Sequence, residues 1–272
     1  MHSLIFFGSD QYSQTVLNHL QKHSGLAITH LTNLTSLPPI TPNTFGLSAS
    51  FPHLFPPEII EQFAGRLYNL HPSLLPQYRN VAPVPYAIAL GDPVTGITLF
   101  KIGKGIDDGK IVAQVKEPIL PNDTTPILLH RLFTKGAELF LQGTVPCNPS
   151  NDDKGRSLVT PTKPLIFTHR LTSQSGFIEW PVFQKLLAHQ PILPNDATNP
   201  LLKLRLQHNP HGEILHDLTR ALNGYEKVWT IAPTRKGELR LTIESVLPNL
   251  TIKLAGKPKP ISYNDFVKYY LE

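Results

Sequence analysis

Residues 3–7 read Ser-Leu-Ile-Phe-Phe, a continuous apolar run that stops at Gly8. A short run of this kind fits a buried strand. After the glycine, Asp10 or Ser13 can cap a helix reaching about Lys22, with Val16, Leu17 and Leu20 on one face. Residues 27–31 read as a second strand. Strand, glycine turn, helix and strand in this order open an α/β fold with an open sheet. Proline points the same way: 27 of 272 residues is about twice ordinary usage, which favours stiff loops over long helical bundles or coiled coils.

Further along, 32–46 lacks periodicity and reads as a loop. A strand is expected over 47–50. Pro56-Pro57-Glu58 starts a helix to about Phe63, because proline at a helix start loses no needed N–H. Strands are expected over 66–70, 95–102 and 111–115, and a helix over 84–90. Asp123 caps the most periodic helix, 125–141, with Ile127, Leu128, Leu132 and Phe133 inward and Leu139 and Phe140 near its end. Beyond residue 165 a helix over 212–222, strands over 228–231, 239–246 and 250–254, and a short helix over 263–270 capped by Ser262 suggest a small β-rich domain.

The expected organisation is therefore a first domain over 1–145, a Pro/Asn/Asp/Gly-rich linker over 146–164, and a second domain over 165–272. Charge divides in the same place. Residues 1–145 carry nine Lys+Arg and nine Asp+Glu, while 146–272 carry 16 and 11. A neutral front half and a basic back half suggest that the back half meets a polyanion; a solvated surface rich in lysine is the alternative. A single cysteine, Cys147, rules out a disulfide within the chain and suits a reducing compartment. No apolar run approaches the roughly 18 residues of a membrane helix. The N-terminus has neither a signal-peptide pattern nor an Arg- and Ser-rich transit pattern. The expected location is a bacterial cytoplasm, with mitochondrial matrix or plastid as alternatives.

Most short motifs lead nowhere. Gly103-Lys-Gly105-Ile-Asp-Asp-Gly109 is misspaced for a dinucleotide loop and does not follow the first strand. There is no Walker loop and no HExxH. Scattered histidines with one cysteine make no zinc cluster, so no metal is expected. The informative stretch is Asn69-Leu70-His71-Pro72-Ser73-Leu74-Leu75-Pro76, which leaves the end of a strand, where ligands of open α/β sheets bind. Strand alternation puts Asn69 and His71 on one face. An amide donor beside an imidazole suits an oxyanion, and Asp107, bracketed by Gly105 and Gly109, could hold the imidazole. An asparagine and a histidine in an ordinary loop remain the other reading.

The pair Asn-x-His-Pro-Ser-Leu-Leu-Pro and Gly-x-Asp-x-Gly resembles the signature of folate-dependent formyltransferases. Phe6-Phe7-Gly8-Ser9, Ser50–Pro57 (numbers 50–57), Gly176-Phe-Ile-Glu-Trp180 and 254–262 with Asp265-Phe266 resemble the methionyl-tRNA branch of that family. The resemblance implies a Rossmann-like catalytic domain followed by a small OB-like β-barrel. It implies Asn69, His71 and Asp107 as the catalytic trio, and Ser73, Leu74, Leu75 and Pro76, with Ser50, Phe51, Leu54 and Ile106, around 10-formyltetrahydrofolate. The partner implied is initiator methionyl-tRNA, met by Arg235, Lys236, Arg240, Lys253, Lys257 and Lys259 of a monomeric protein. Three departures stand out. The 32–46 stretch is short and holds no Lys or Arg; Asn80 stands where the family prefers glycine; and Gly224-Tyr225-Glu226 replaces a Pro-Trp-Pro-like stretch. The alternatives are a formyltransferase or hydrolase acting on a sugar nucleotide or glycinamide ribotide, and a non-catalytic tRNA-binding relative.

Overall fold

The structure, a computed structural model, describes residues 2–143 and 165–271. These form two compact units. The first draws on 2–83, 94–118 and the described part of 127–168; the second on 84–93, 119–126 and 169–271. The second unit thus takes two segments from ahead of residue 146. Cys147 and the expected linker lie outside the described residues.

The first unit is built on a six-stranded mixed sheet. Strands β1 (Ser3–Phe7), β2 (Ala27–Leu31), β3 (Thr44–Ala49) and β4 (Leu67–His71) run parallel. After the two-residue β5 (Arg79–Asn80), strands β6 (Val94–Lys101) and β7 (Ile111–Pro118) add antiparallel. The order across the sheet is β2-β1-β3-β4-β6-β7. All of Leu4, Ile5, Phe6 and Phe7 are buried, as an unbroken apolar run requires when both sheet faces are covered. The Rossmann-like α/β expectation holds.

Helix α1 (Gln11–His23) starts where expected. The Asp10 carboxylate accepts the Tyr12 and Ser13 amides at 3.0 and 2.8 Å, and the Ser13 hydroxyl accepts the Asp10 amide, closing a reciprocal cap. Its buried face is Ser13, Val16, Leu17 and Leu20. Chain order reverses between β1 and β3, and there a doubly wound fold often holds a phosphate on the helix N-terminus. In this protein Asp10 supplies that negative charge itself.

Strand β3 begins at Thr44, three residues before the expected start. Gly46 is the reason it was hidden: a side chain there would collide with Leu67 and Phe63, so the strand carries a glycine where packing is tightest. The short 32–43 stretch helps to cover this part of the sheet. Leu31, Leu34, Leu37 and Ile40, three residues apart, pack against Ile5, Phe7, Phe63 and Leu67. Helix α2 (Pro57–Gln62) lies near its expected place, as does α3 (Pro83–Ala89).

In α4 (Thr125–Gly143), Leu128, Leu129, Leu132, Phe133 and Phe140 are buried. Ile127 was expected with them but is 52% exposed. It sits about 200° round the helix from Leu129, hence on the opposite face.

The two-residue β8 (Phe167–Thr168) pairs with β5. In the second unit, β9 (Trp229–Thr234), β10 (Gly237–Ser245), β11 (Thr251–Leu254) and β12 (Ile261–Ser262) form an antiparallel sheet in the order β12-β11-β10-β9. Its core is Ala232, Leu241, Ile252, Leu254 and Phe266. This unit is less purely β than expected, because it includes α5 (Trp180–Leu187) and α6 (Pro200–His208) as well as α7 (Ile214–Leu222). Asn199-Pro200 is a readable start for α6, cap residue then proline, and the Asn199 side chain does accept the Leu201 and Leu202 amides. The signal was masked because a buried position of α6 is Arg205, which is 1% exposed. Its guanidinium donates to the Leu90 and His211 carbonyls and pairs with Asp217 at 3.1 Å. Burial pushes its pKa down, and Asp217 opposes that shift. The chain ends in α8 (Tyr263–Phe266), capped by Ser262, and a wider π turn over Val267–Leu271 in place of one continuous helix. Among the described residues no helix is long and apolar enough to cross a membrane.

Candidate active site

Strand β4 lies between β3 and β6, with Asn69 opposite Ser48 and Phe100, and His71 opposite Thr98. Alternation puts both side chains on one face. Asn69 is half-buried and His71 is buried. The His71 Nε2 is 2.8 Å from the Tyr78 carbonyl. A carbonyl only accepts, so Nε2 carries the proton. That leaves Nδ1 facing Asp107, whose Oδ2 is 3.5 Å away. At this distance the two side chains face each other without a formed hydrogen bond.

Asp107 arrives on the loop between β6 and β7. The loop is closed by its own chemistry. The Asp108 carboxylate accepts the Gly105 amide at 3.1 Å, and a side chain at Gly109 would collide with the Lys101 carbonyl. Asp107 sits at φ +48, and its Oδ2 accepts the Asn80 amide at 2.8 Å. Asn80 itself sits at φ +80. Glycine takes that conformation most easily and asparagine is among the side chains that tolerate it, which accounts for asparagine in a glycine position.

Asn69 and Asp107 stand in the wall of a cleft of about 270 Å³. Phe51, Leu54, Phe55, Ile102 and Ile106 supply its apolar lining, and His53, Glu61 and Lys104 its polar groups. Leu54, 79% exposed, offers a large apolar surface to solvent. The expected folate residues divide into two sets. Phe51, Leu54 and Ile106 line this cleft. Ser50 does not; its hydroxyl donates to Asp10 Oδ2 at 2.5 Å. Ser73–Pro76 (numbers 73–76) form a turn outside the cleft wall. The Ser73 hydroxyl donates to the Gln77 carbonyl at 2.6 Å, and the Leu75 amide donates to the Thr98 hydroxyl at 3.1 Å. Both residues are buried, Leu74 packs on Gly96, and Pro76 is half-buried.

In the second unit, Arg235, Lys236, Arg240, Lys253, Lys257 and Lys259 are all exposed. Arg240 lies over the Trp229 ring, 4.0 Å from its centroid, a cation–π contact. Thr242 is cross-strand from both Trp229 and Lys253, so Trp229, Arg240 and Lys253 share one sheet face. Arg235 and Lys236 form the β9–β10 turn. Ala255 donates to the Arg240 carbonyl at 3.1 Å, at the start of the turn that carries Lys257 and Lys259.

Residues 43–144 match the formyl transferase family. That match covers less than half of the chain. Asn69, His71 and Asp107 all fall inside it. A methionyl-tRNA formyltransferase of Koribacter versatilis is 49% identical over 74 residues, 27% of this chain and 24% of the relative. One of Bifidobacterium longum is 32% identical over 133 residues, 48% of this chain and 39% of the relative. The chain thus spans less than half the length of each of these two relatives. A solved Mycobacterium tuberculosis structure, provisionally described as a sugar N-formyltransferase, matches 91% of this chain and 98% of its own at a TM-score of 0.57 and 16% identity; this likeness concerns the fold alone. The features of the site that residue type alone did not announce act through backbone atoms: the Tyr78 carbonyl and the Asn80 amide. Only the asparagine in a glycine position hinted at them.

Proposed function

We propose that this protein transfers the formyl group of 10-formyltetrahydrofolate to the α-amino group of methionine on initiator methionyl-tRNA. The observation that carries the reading is the convergence of Asn69 and Asp107 on one apolar cleft, with His71 Nδ1 aimed at Asp107. It is supported by the formyl transferase match and by relatives that are methionyl-tRNA formyltransferases.

The amine attacks as the neutral base. Its lone pair bonds to the formyl carbon, which becomes tetrahedral while the carbonyl oxygen gains charge. The Asn69 side-chain amide donates to that oxygen; one such donor is typically worth ~2.7–4 kcal/mol. With Nε2–H engaged by Tyr78, His71 turns Nδ1 towards the Asp107 carboxylate and so orients the group that takes the proton. Asp107 takes the proton that the attacking nitrogen loses. The tetrahedral oxygen re-forms its double bond to carbon as the bond from carbon to folate N10 breaks, and N10 takes the proton that Asp107 holds, which restores the carboxylate. Acid–base help of this kind adds roughly 10²–10⁴-fold.

The apolar lining of Phe51, Leu54, Phe55 and Ile106 suits the flat ring of a folate. Ser73–Pro76 (numbers 73–76) would then support the site from behind. In the second unit, the basic sheet face with Arg240 and Lys253 suits a tRNA backbone, joined by Arg235, Lys236, Lys257 and Lys259 in the adjoining turns. We read its four strands as part of an OB-type barrel, and the protein as a monomer of the bacterial cytoplasm. The test is transfer of a carbon-14 formyl group to charged initiator tRNA, run beside an amino sugar nucleotide and glycinamide ribotide.

A further inference from the structure

Three positive-φ residues alternate along one stretch: Tyr78 at +59, Asn80 at +80 and Ala82 at +57. None is glycine, and such conformations persist only where the surroundings over-determine them. This same stretch holds both members of the His71–Asp107 pair. The Tyr78 carbonyl fixes His71 Nε2 at 2.8 Å, and the Asn80 amide fixes Asp107 Oδ2 at 2.8 Å.

What over-determines it comes from far along the chain. Arg79 and Asn80 pair in parallel with Phe167 and Thr168. The Thr168 hydroxyl donates to the Arg79 carbonyl at 2.9 Å and also lies against the Val81 carbonyl. The Asn80 side-chain amide donates to the Thr168 carbonyl at 3.0 Å. Thr168 is fully buried. The Thr168 hydroxyl therefore sits between the carbonyls on either side of Asn80, and the Asn80 side chain donates back to the Thr168 carbonyl.

We infer that Thr168 is a positioning residue for the His71–Asp107 pair, acting through the Tyr78–Val81 backbone (numbers 78–81) rather than by touching substrate. The inference rests on the proposed reaction only for its kinetic arm. Loss of the hydroxyl frees the two carbonyls, lets the backbone at Asn80 relax from φ +80, and so moves the groups that aim His71 and Asp107.

The test compares Thr168→Val, which keeps shape and loses the hydroxyl, with Thr168→Ser, which keeps the hydroxyl. The first readout is the hydrogen-bonded Nε2–H proton resonance of His71, assigned by its loss in His71→Gln. Thr168→Val should shift or broaden it, and Thr168→Ser should leave it in place. The second readout is formyl transfer: Thr168→Val should lower kcat about ten- to a hundredfold with little change in KM, as small displacements of reacting groups do, and Thr168→Ser should restore it. If Thr168→Val does not fold, Asn80→Gly decides; it relieves the positive φ, removes the side-chain bond to Thr168 and should shift the same resonance. An unmoved His71 signal in the folded variant overturns the inference. A wild-type protein that transfers no formyl group, yet whose His71 signal responds to Thr168→Val, overturns the reaction and keeps the positioning.

Discussion

His71 Nδ1 lies 3.5 Å from Asp107 Oδ2, and the same oxygen accepts the Asn80 amide at 2.8 Å. Asp107 is thus held by a neutral donor on one side and faces a titratable ring on the other. A carboxylate so placed keeps its orientation while its contact with the ring stays open to a reacting proton. Asp107→Asn keeps the shape and removes the acceptor of that proton. It should lose at least ~10²-fold in kcat while its circular dichroism stays that of the parent.

Asn69→Ala removes the proposed oxyanion donor and should cost ~10²–10³ in kcat. The double variant with His71→Ala should cost far less than the product of the two single losses, because groups that act as a unit are non-additive. Steady-state rates of the two singles and the double test this. Fully multiplicative losses would mean that the two side chains act independently.

Leu34→Ala or Leu37→Ala should each destabilise the protein by roughly 1–2 kcal/mol, the scale of uncovering one or two buried methylene groups, because both side chains pack on the core of Ile5, Phe7, Phe63 and Leu67. Ile127→Ser should stay within about 0.5 kcal/mol of the parent, as exposed substitutions do. Urea denaturation measures all three. A large loss at Ile127 would restore it to the buried face of α4.

Arg205→Ala should cost roughly 3–5 kcal/mol, the scale of breaking a buried pair. It orphans the Leu90 and His211 carbonyls and one side of Asp217. For the same reason a fragment of residues 165–272 alone lacks the Leu90 partner. It should show a broad, weakly cooperative unfolding transition. Sharp two-state melting of the fragment would show that Arg205 does not need the 84–93 segment.

Lys257 and Lys259, both reversed to glutamate, should weaken tRNA binding several-fold. The salt dependence should fall by about 0.7–0.9 in slope for each phosphate that is no longer neutralised. Arg240 and Lys253 remain in place in that variant, so binding should be reduced rather than abolished. Filter binding across a salt series reads both effects, and an unchanged slope would place the tRNA backbone on another surface.

The parts of this protein that were legible in its sequence are those in which a side chain states its own role. The apolar run 3–7, the Asp10 cap and the Val16-Leu17-Leu20 face announce β1 and α1. Asn69 and His71 announce a shared strand face, and Gly105 and Gly109 a tight loop that aims Asp107. What stayed hidden depends on partners far along the chain. Arg205 broke the apolar pattern of α6 because its partners, Leu90 and Asp217, are not its sequence neighbours. Gly46 masked the start of β3 because Phe63 and Leu67 leave no room for a side chain. The holds on His71 and Asp107 are a carbonyl and an amide, and every residue but proline carries both, so residue type could not reveal them.

The most direct test is single-turnover transfer of a carbon-14 formyl group from 10-formyltetrahydrofolate to charged initiator tRNA. It should be run with the parent protein and with Asp107→Asn, after both are shown to fold alike. The account requires acid-precipitable label on the tRNA with the parent and at least ~10²-fold slower labelling with Asp107→Asn. Equal rates in the two proteins, or label that appears on a sugar nucleotide or glycinamide ribotide and never on tRNA, would contradict it.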